Sequence, residues 1–276
     1  MKIITLIENK SSEREDLHIE HGLSIYIEVD NKRLLFDTGK SGKILENASD
    51  LNVNLGELDY VLISHGHYDH SGGLKRLIKE INPNIELFVG DGFFNNKHSL
   101  REDGDYQYAG NPFDVEYLRD NNIPTHFVNQ DMVNLTENIS IFTNFNRKDE
   151  FENTNETMFL KQDGVYIMDQ FLEEISLGIK TPKGLVVIVG CSHVGIVNIV
   201  DTIIERTGMQ IYALIGGTHL VKEDDEKINK IIEYLREKEI QIIGACHCTG
   251  KQGETMLEQQ LEDNFINNNT GDILII

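Results

Sequence analysis

The sequence predicts an α/β fold, and two observations carry this prediction. Short apolar segments that end at Gly, Asp, Asn or Pro alternate with amphipathic segments in both halves of the chain, and this alternation is typical of α/β sandwiches. The segment Gly184–Gly190, which reads GLVVIVG, is continuously apolar. Such a run indicates a buried central strand.

Strands are predicted where runs rich in Ile, Val, Leu or Tyr are bounded by turn residues. The predicted strands are, in chain order, Lys2–Ile7, Leu23–Val29, Arg33–Phe36, Tyr60–Ile63, Glu86–Val89, Ile139–Thr143, Thr157–Lys161, Ile175–Ile179, Leu185–Val189, Ile211–Ile215, Gln241–Ile243 and Ile273–Ile276. The early strands alternate apolar and polar residues, so one face of their sheet is expected to be covered by helices or by water.

Helices are predicted where apolar residues repeat with the helical period. The predicted helices are Gly42–Ala48, Gly72–Glu80, Pro112–Asp120, Gly195–Arg206, Glu223–Glu239 and Glu254–Asn264. The signal is clearest in Glu223–Glu239, where apolar residues between Ile228 and Leu235 share one face and charged residues take the other.

A chain of 276 residues is long enough to bury a large core, and a single domain over residues 1–276 is expected. The region at about 90–134 is rich in Gly, Asn, Asp and aromatic residues and shows no clear periodicity. Long segments of this kind often cover functional sites. The region is therefore predicted to be a lid or an insertion.

The charge of the chain and its apolar runs limit the kinds of partner that we expect. The chain has 25 Lys and Arg against 46 Asp and Glu, a net charge of −21, which argues against nucleic acid as a partner. No apolar run approaches the roughly 20 residues of a membrane helix, and the first residues lack the pattern of a signal peptide. The three cysteines do not resemble a disulfide framework. We therefore expect a cytoplasmic protein with reduced thiols and no membrane partner. The oligomeric state is left open.

Three histidines and one aspartate lie within six residues after the predicted strand Tyr60–Ile63, in the segment SHGHYDHSGGL. Alternate residues of an extended segment point to the same side, so His65 and His67 are predicted to bind one ion. Asp69 and His70 follow in a turn or first helical turn, where they can face a second ion. Imidazole and carboxylate ligands suit zinc, and also iron or manganese.

This HxHxDH pattern resembles the metallo-β-lactamase superfamily, and further motifs follow in the same order over nearly the whole chain. The resemblance implies a four-layer αββα sandwich with two metal ions at one edge of the sheets. It implies that Asp37, in FDTG, orients the metal ligands. It also places Cys191, in GCSH, where relatives have a bridging Asp or a Cys ligand. His247, in ACHCTG, corresponds to the last His ligand.

A narrower match is carried by SHGHYDHSGGL, GCSHVGIVN, GGTHL and HCTG together. These motifs are similar to the subfamily labelled 7,8-dihydropterin-6-yl-methyl-4-(β-D-ribofuranosyl)aminobenzene 5′-phosphate synthase. This resemblance implies transfer of a dihydropterin methyl unit from its pyrophosphate to a phosphorylated ribofuranosyl-aniline, which is a step toward methanopterin.

The chain departs from the superfamily pattern at two places. The usual His of a Pro-Gly-His-Thr turn is absent from Ile141–Arg147, and Cys191 replaces the usual Asp. His193 is predicted to supply the missing ligand. Cys191 either joins one of the ions or only lines the site. The predicted ligand sets are His65, His67 and His193 for the first ion, and Asp69, His70 and His247 for the second.

Two residues are candidates for proton transfer in the reaction. Asp69 is suited to accept a proton as well as to bind metal. His219, in GGTHL, is either a general acid or substrate contact, or a cap of the following helix. The expected cofactors are two divalent ions, with zinc favoured and manganese or iron as alternatives.

The expected partner is a small phosphorylated substrate. Phosphate groups need cationic partners, and four residues are candidates: Lys97, His98, Arg101 and Arg147. These side chains are alternatively ordinary solvated charges. Aromatic residues of the same region form either a wall for a flat pterin ring or simple packing: Phe93, Phe94, Tyr106, Tyr108 and Phe113.

Three other functions stay open at this point. A generic hydrolase of a phosphodiester, thioester or lactone uses the same ions, and pyrophosphate release in the presence of the aniline acceptor separates it from the transferase. A diiron redox protein would show visible absorbance after purification. A relative that only binds a ligand is the third alternative, and the intact HxHxDH pattern weighs against it.

Overall fold

The computed structural model of the chain describes residues 1–81, 85–148, 152 and 157–276. These residues form two compact units, and each unit is assembled from segments that are distant in sequence. The first contains Met1–Val128, Asn155–Glu173 and Asn269–Ile276, and the second contains Asn129–Thr154 and Glu174–Asn268. The expectation of one domain with a lid or insertion at about 90–134 stays a prediction.

The elements are numbered in chain order over the described residues. The strands are β1 (Lys2–Ile7), β2 (Ser24–Val29), β3 (Lys32–Phe36), β4 (Tyr60–Ile63), β5 (Glu86–Gly90), β6 (Lys97–Leu100), β7 (Tyr106–Tyr108), β8 (Thr125–Val128), β9 (Met132–Asn134), β10 (Ile139–Phe142), β11 (Met158–Gln162), β12 (Val165–Met168), β13 (Ser176–Thr181), β14 (Gly184–Val189), β15 (Ile211–Gly216), β16 (Ile242–Ala245) and β17 (Ile273–Ile275). The helices are α1 (Ile44–Asp50), α2 (Tyr68–Ser71), α3 (Leu74–Ile81), α4 (Val115–Asp120), α5 (Ile196–Thr207), α6 (Asp225–Glu237) and α7 (Gly250–Leu261).

The larger sheet of the first unit has the strand order β17-β1-β2-β3-β4-β5-β8. Strands β17 to β3 pair antiparallel, whereas β3, β4, β5 and β8 pair parallel. The carboxyl ends of parallel strands lie at one edge of a sheet, where α/β proteins place their sites. The histidine-rich segment begins at this edge, directly after β4.

Helices α1 and α3 bury their apolar faces in the core of the first unit. On α3, Leu74, Leu77 and Ile78 are spaced for one helical face, and they join one apolar cluster with Val61 of β4. Each fully buried side chain of this kind contributes about 1.5–3 kcal/mol relative to exposure. The core therefore fixes the ends of the strands that carry the site.

A smaller antiparallel sheet in the first unit has the strand order β12-β11-β6-β7. Strands β6 to β9 lie in the region that the sequence shows as irregular. These strands, together with β12 and the short helix α2, were not predicted. Each of these elements is only three or four residues long. The exposed β7 carries no aliphatic residue, and β6 pairs with the distant β11. Local pattern alone does not reveal strands of this kind.

The second unit has one sheet, with the order β16-β15-β14-β13-β10-β9. Strands β14, β15 and β16 are parallel neighbours, and the others pair antiparallel. In β14 every residue from Leu185 to Val189 is buried. The prediction of a buried central strand from GLVVIVG is therefore confirmed.

The helices of the second unit are α5, α6 and α7. The Asp224 side chain caps α6 by accepting a hydrogen bond from Lys227 N at 2.9 Å, and the apolar residues from Ile228 to Leu235 are buried. This confirms the helix predicted from periodicity. In the described ranges, none of the helices combines the length and apolar character that crossing a bilayer requires.

Candidate metal centre

The histidine-rich segment begins where the buried strand β4 ends. His67 is extended, with φ −93° and ψ 150°, and precedes the first turn of α2. His65 Nε2 and His67 Nδ1 lie 2.9 Å apart, on the same side, as their alternate spacing predicts. Both rings are buried. Two imidazole nitrogens that converge in this way can bind one cation.

Asp37, directly after β3, holds the segment in place through its carboxylate. Ser64 donates from its backbone N to Oδ1 at 2.7 Å and from its hydroxyl to Oδ2 at 2.9 Å. His70 Nδ1 lies 2.7 Å from Asp37 Oδ2, and His70 Nε2 lies 3.7 Å from Asp69 Oδ2. A carboxylate on one ring nitrogen fixes a metal-binding histidine so that the other nitrogen faces the ion.

The backbone around Asp37 allows the FDTG turn to lie in contact with the HxHxDH segment. Asp37 has φ 62°, a left-handed conformation that non-glycine residues adopt uncommonly. The next residue, Thr38, donates from its backbone N to His70 O at 2.7 Å. A Cβ atom on Gly73 would lie 2.0 Å from Thr38 O. The glycine therefore allows the FDTG turn and the HxHxDH segment to touch.

His21 is a site neighbour that sequence reasoning missed. Its Nε2 lies 3.3 Å from Asp69 Oδ2, and its side chain is 56% exposed. The neighbouring Leu23 N donates to Asp69 O at 3.2 Å, and a Cβ atom on Gly22 would lie 2.6 Å from that oxygen. The sole sequence signal is a His-Gly pair before a strand, which is too common to indicate a site.

The ring of Phe171 packs against the two converging histidines. Its centroid lies 6.1 Å from that of His65 and 5.4 Å from that of His67. The Lys97 ammonium lies 4.5 Å from the same ring centroid, a cation–π contact. Phe171 itself has φ 49°. The aromatic ring thus links the buried lysine to the His65 and His67 side chains.

Lys97, a predicted phosphate ligand, lies inside the first unit and is 1% exposed. Its ammonium is 2.5 Å from Asp169 Oδ2 and 2.6 Å from Glu173 Oε1. Burial opposes the charge, but the two carboxylates outweigh it and raise the Lys97 pKa. Burial raises the pKa of Glu173, and the charge of Asp169 adds to this rise, while Lys97 opposes it. The ammonium is thus paired within the protein.

In the second unit, the GCSH motif forms the turn after β14. Glu174 was not predicted, and its buried carboxylate accepts hydrogen bonds from His193 N at 2.9 Å and Val194 N at 2.8 Å. Ser192 has φ 61°, and its hydroxyl donates to Gly217 O at 2.7 Å. These contacts fix the backbone that carries Cys191 and His193.

Cys191, His219 and Cys248 come together in the second unit, with one donor atom of each within 4.8 Å of the others. Burial would raise the Cys248 pKa, but hydrogen bonds with Cys191 and His219, and the charges of His247 and His219, lower it well below its usual value. Burial would lower the His219 pKa, and its interaction with Cys248 outweighs this and raises it. The His193 and His219 ring centroids are 4.3 Å apart.

His247 lies in the 3-10 turn His247–Thr249 after β16, where it is buried and has φ 56°. The predicted ligand sets combine it and His193 with residues of the first unit, and these sets stay predictions. Within each unit the donor chemistry fits a divalent ion. Among the described side chains, His219 Nδ1 is a buried nitrogen with no hydrogen-bond partner, which is the kind of atom that a cation would satisfy.

The other three predicted phosphate ligands, His98, Arg101 and Arg147, each have different neighbours. His98 is mostly buried, with its ring centroid 5.6 Å from that of Tyr108 and 5.1 Å from that of Tyr166. Arg101 is exposed, and its Nε donates to Gln107 Oε1 at 2.8 Å. Arg147 is exposed in the second unit. Phosphate binding by these residues stays a prediction.

The aromatic residues considered for a ring-binding wall divide into two groups. Phe94 packs against Phe93 and Phe113, with ring centroids 5.0 and 5.9 Å away, and this cluster belongs to the core of the first unit. Tyr106 and Tyr108 are exposed on the small sheet. The geometry therefore supports simple packing for the phenylalanines. On the small sheet, Tyr106 stacks on Tyr166 with ring centroids 3.7 Å apart, and Tyr108 donates from its hydroxyl to Asn111 O at 2.8 Å.

Comparisons of sequence show the family. The profile described as Metallo-beta-lactamase superfamily matches residues 20–154. A protein of Methanocaldococcus jannaschii named 7,8-dihydropterin-6-methyl-4-(beta-D-ribofuranosyl)-aminobenzene-5'-phosphate synthase is 33% identical to this chain. The alignment covers 99% of this chain and 96% of that protein. The family and the name of this relative indicate an enzyme.

Solved structures agree with this assignment. Tm1679, described as a metal-dependent hydrolase of the beta-lactamase superfamily, has a TM-score of 0.87 and 31% identity over 100% of this chain and 99% of its own. Zn²⁺-bound PqqB from Methylobacterium extorquens has a TM-score of 0.62 at 14% identity over 100% of both chains, so it shares the fold alone. The predicted α/β fold class is confirmed, and the chain belongs to the metallo-β-lactamase superfamily.

Proposed function

We propose that this chain is a metal-dependent enzyme that hydrolyses, or transfers a group from, a small phosphorylated molecule. The observation that carries the proposal is the buried pair of Asp37 and His70 beside the converging nitrogens of His65 and His67. A carboxylate-supported histidine next to facing ring nitrogens suits metal binding better than packing. Membership of the superfamily supports the same function.

The metal ligands of the first unit would be His65, His67, Asp69 and His70, and the sequence-based sets add His193 and His247 of the second. Two bound ions, zinc or alternatively manganese or iron, would neutralise charge on the attacking and leaving oxygens. Asp37 would hold the His70 ring in its binding orientation. Asp69 would also accept a proton, and His219 would donate one.

The finer proposal is a dihydropterin transfer. A dihydropterin pyrophosphate would react with the aniline nitrogen of a ribofuranosylaminobenzene 5′-phosphate, and pyrophosphate would leave. The support is the name of the Methanocaldococcus relative, which is 33% identical over nearly the full length of both chains. His98, Arg101 and Arg147 would bind phosphate, whereas the Lys97 ammonium is already paired with two carboxylates.

A general hydrolase of phosphodiesters, thioesters or lactones is the second candidate. The observation that favours it is the likeness to Tm1679, which is described as a metal-dependent hydrolase and matches with a TM-score of 0.87. Both candidates use the same residues in the same positions. They differ in whether water or an amine receives the transferred group.

Pyrophosphate release separates these candidates. The full chain, loaded with zinc or manganese, is incubated with the dihydropterin pyrophosphate, with and without the ribofuranosylaminobenzene 5′-phosphate. Release that requires the acceptor supports the transferase, and release without it supports the hydrolase. Metal-free protein that takes up no ion and cleaves no ester or pyrophosphate would remove the basis of the proposal.

The His67→Ala variant tests whether the histidine-rich segment carries the activity. We expect activity to fall roughly 100-fold or more, since loss of supporting groups around a metal already costs about 10–100-fold. His126→Ala is the matched control, because His126 is a half-exposed histidine of the first unit paired with Glu86. Equal activity in both variants would contradict the proposed role.

A further inference from the structure

The second unit contains a sulfur-rich donor cluster that the proposed function does not use as a unit. Strands β14, β15 and β16 are parallel neighbours, so their carboxyl ends lie at one edge of the sheet. Cys191, His219 and Cys248 each lie within three residues of one of these ends. One donor atom from each residue lies within 4.8 Å of the other two.

The backbone at this edge is shaped to admit the Cys248 thiol. A Cβ atom on Gly217 would lie 2.5 Å from Cys248 Sγ and 3.4 Å from the Cα of Cys191. A larger residue would push the thiol away. Cys248 Sγ also lies 3.4 Å from Cys191 O. Glycine at this position therefore keeps the two cysteines together.

We propose that Cys191, His219 and Cys248 form a site for a thiophilic divalent cation of the zinc class, with one coordination position left open. Two thiolates and one imidazole are a known zinc ligand set of the open type, whereas Mg²⁺ and Mn²⁺ prefer oxygen ligands. The cysteines are almost fully buried. This inference does not depend on the proposed function. It assigns Cys191 to this cluster, and it makes His219 a metal ligand in place of its role as a proton donor.

A cation in this cluster would account for a buried ring nitrogen that otherwise costs folding free energy. His219 Nδ1 is buried and has no hydrogen-bond partner among the described residues, and such atoms are rare in folded proteins. A cation held by the two sulfur atoms would supply a partner to the nitrogen of this ring that faces them. Packing alone gives no reason for two thiols and an imidazole to converge at the ends of three strands.

Cobalt substitution tests the proposal without any substrate. The reduced, metal-free full chain is titrated with Co²⁺, and the thiolate-to-cobalt charge-transfer absorption is recorded. Cys191→Ser and Cys248→Ser should each lose roughly half of this band, because each removes one of two thiolate ligands. The band should persist in His67→Ala, so failure of the proposed function and failure of this site are read separately.

Cys246→Ser is the matched control. Cys246 directly precedes His247 in sequence, is buried and accepts a hydrogen bond from Asn268 Nδ2 at 3.3 Å, and it is not one of the three clustered donors. The band should be unchanged in this variant. A missing band in the natural chain, or an equal loss in Cys246→Ser, would overturn the proposal.

A measurement on the natural chain guards against variants that do not fold. Zn²⁺ should slow alkylation of Cys191 and Cys248, followed by mass spectrometry of peptides, and leave Cys246 unaffected, while Mg²⁺ should protect none. Uniform protection of the three cysteines contradicts the site. So does a Cys191–Cys248 disulfide that persists in excess reductant, since it would show that the two sulfur atoms pair with each other rather than with a cation.

Discussion

At the scale of the residue, Asp37 shows how one side chain sets the geometry of several others. Its two carboxylate oxygens accept hydrogen bonds from Ser64 N and Ser64 Oγ, and one of them lies 2.7 Å from His70 Nδ1. Its backbone has a left-handed conformation. The side chain has to be short enough for the turn and has to accept hydrogen bonds with both oxygens. Among the standard residues, Asp meets both requirements, whereas Asn replaces one acceptor by a donor.

The Asp37→Asn variant should therefore bind metal about 10–100-fold more weakly, because the His70 ring loses its carboxylate partner. Competition with a chelating dye at equilibrium measures the affinity. Asp59→Asn is the control, since Asp59 is a partly exposed acid paired with Lys32. An unchanged affinity in Asp37→Asn, or the same loss in both variants, would show that Asp37 does not orient the ligands.

Lys97 supports a second prediction at this scale, which concerns stability. Lys97→Met leaves Asp169 and Glu173 buried without their cation, so the free energy of unfolding should fall by about 3–5 kcal/mol. Lys32→Met removes an ion pair of similar length, 2.6 Å, whose side chains are 35% and 29% exposed. Its loss should cost much less, because water and salt screen an exposed ion pair. Urea unfolding compares the two, and equal losses would mean that burial does not determine the effect.

At the scale of the element, the start of α3 depends on a close contact. Gly73 lies just before α3, and its missing side chain leaves room for Thr38 O. Gly73→Ala should reduce the free energy of unfolding by about 1–3 kcal/mol, because the helix and the FDTG turn have to separate. Gly56→Ala is the control, since the nearest atom there is the Asn54 side-chain oxygen at 3.1 Å. The midpoint of thermal unfolding is measured for both variants, and an equal decrease in both would rule out the steric contact as the cause.

The elements also show what sequence could and could not predict. Each of the twelve predicted strands has a counterpart, from β1 to β17, because each carries its own apolar pattern. Strands such as β6 and β7 were missed because they are only four and three residues long. In addition, β6 pairs with the distant β11. The HxHxDH geometry follows from local spacing. His21, Phe171 and Glu174 reach their positions through the fold alone.

Lys97 shows the same limit for the site. A lysine in a polar, aromatic-rich region reads as a surface cation, and the sequence predicts a phosphate ligand there. The burial of Lys97 depends on Asp169 and Glu173, which arrive from a segment more than 70 positions away. A pattern within one window does not contain this information.

At the scale of the whole molecule, the net charge of −21 predicts that salt stabilises the fold. Raising NaCl from about 0.01 to 0.15 M shortens the Debye length from about 30 to 8 Å and weakens repulsion among the acidic side chains. The unfolding midpoint should rise by roughly 2–4 °C for each kcal/mol gained. Calorimetry in NaCl and KCl should give the same rise. A midpoint that stays constant or falls would show that local ion pairs outweigh the repulsion.

The pairing of β1 with β17 has a consequence for the order of synthesis. The second unit has all of its strands once Asn268 has been added, but the first unit still lacks β17. Until then the outer edge of β1 presents unpaired backbone groups, and such an edge is prone to pair with other chains. Most strands of the first unit precede those of the second in the chain, yet the first unit is completed later, because β1 lacks its outer partner until the segment after Asn268 has been added.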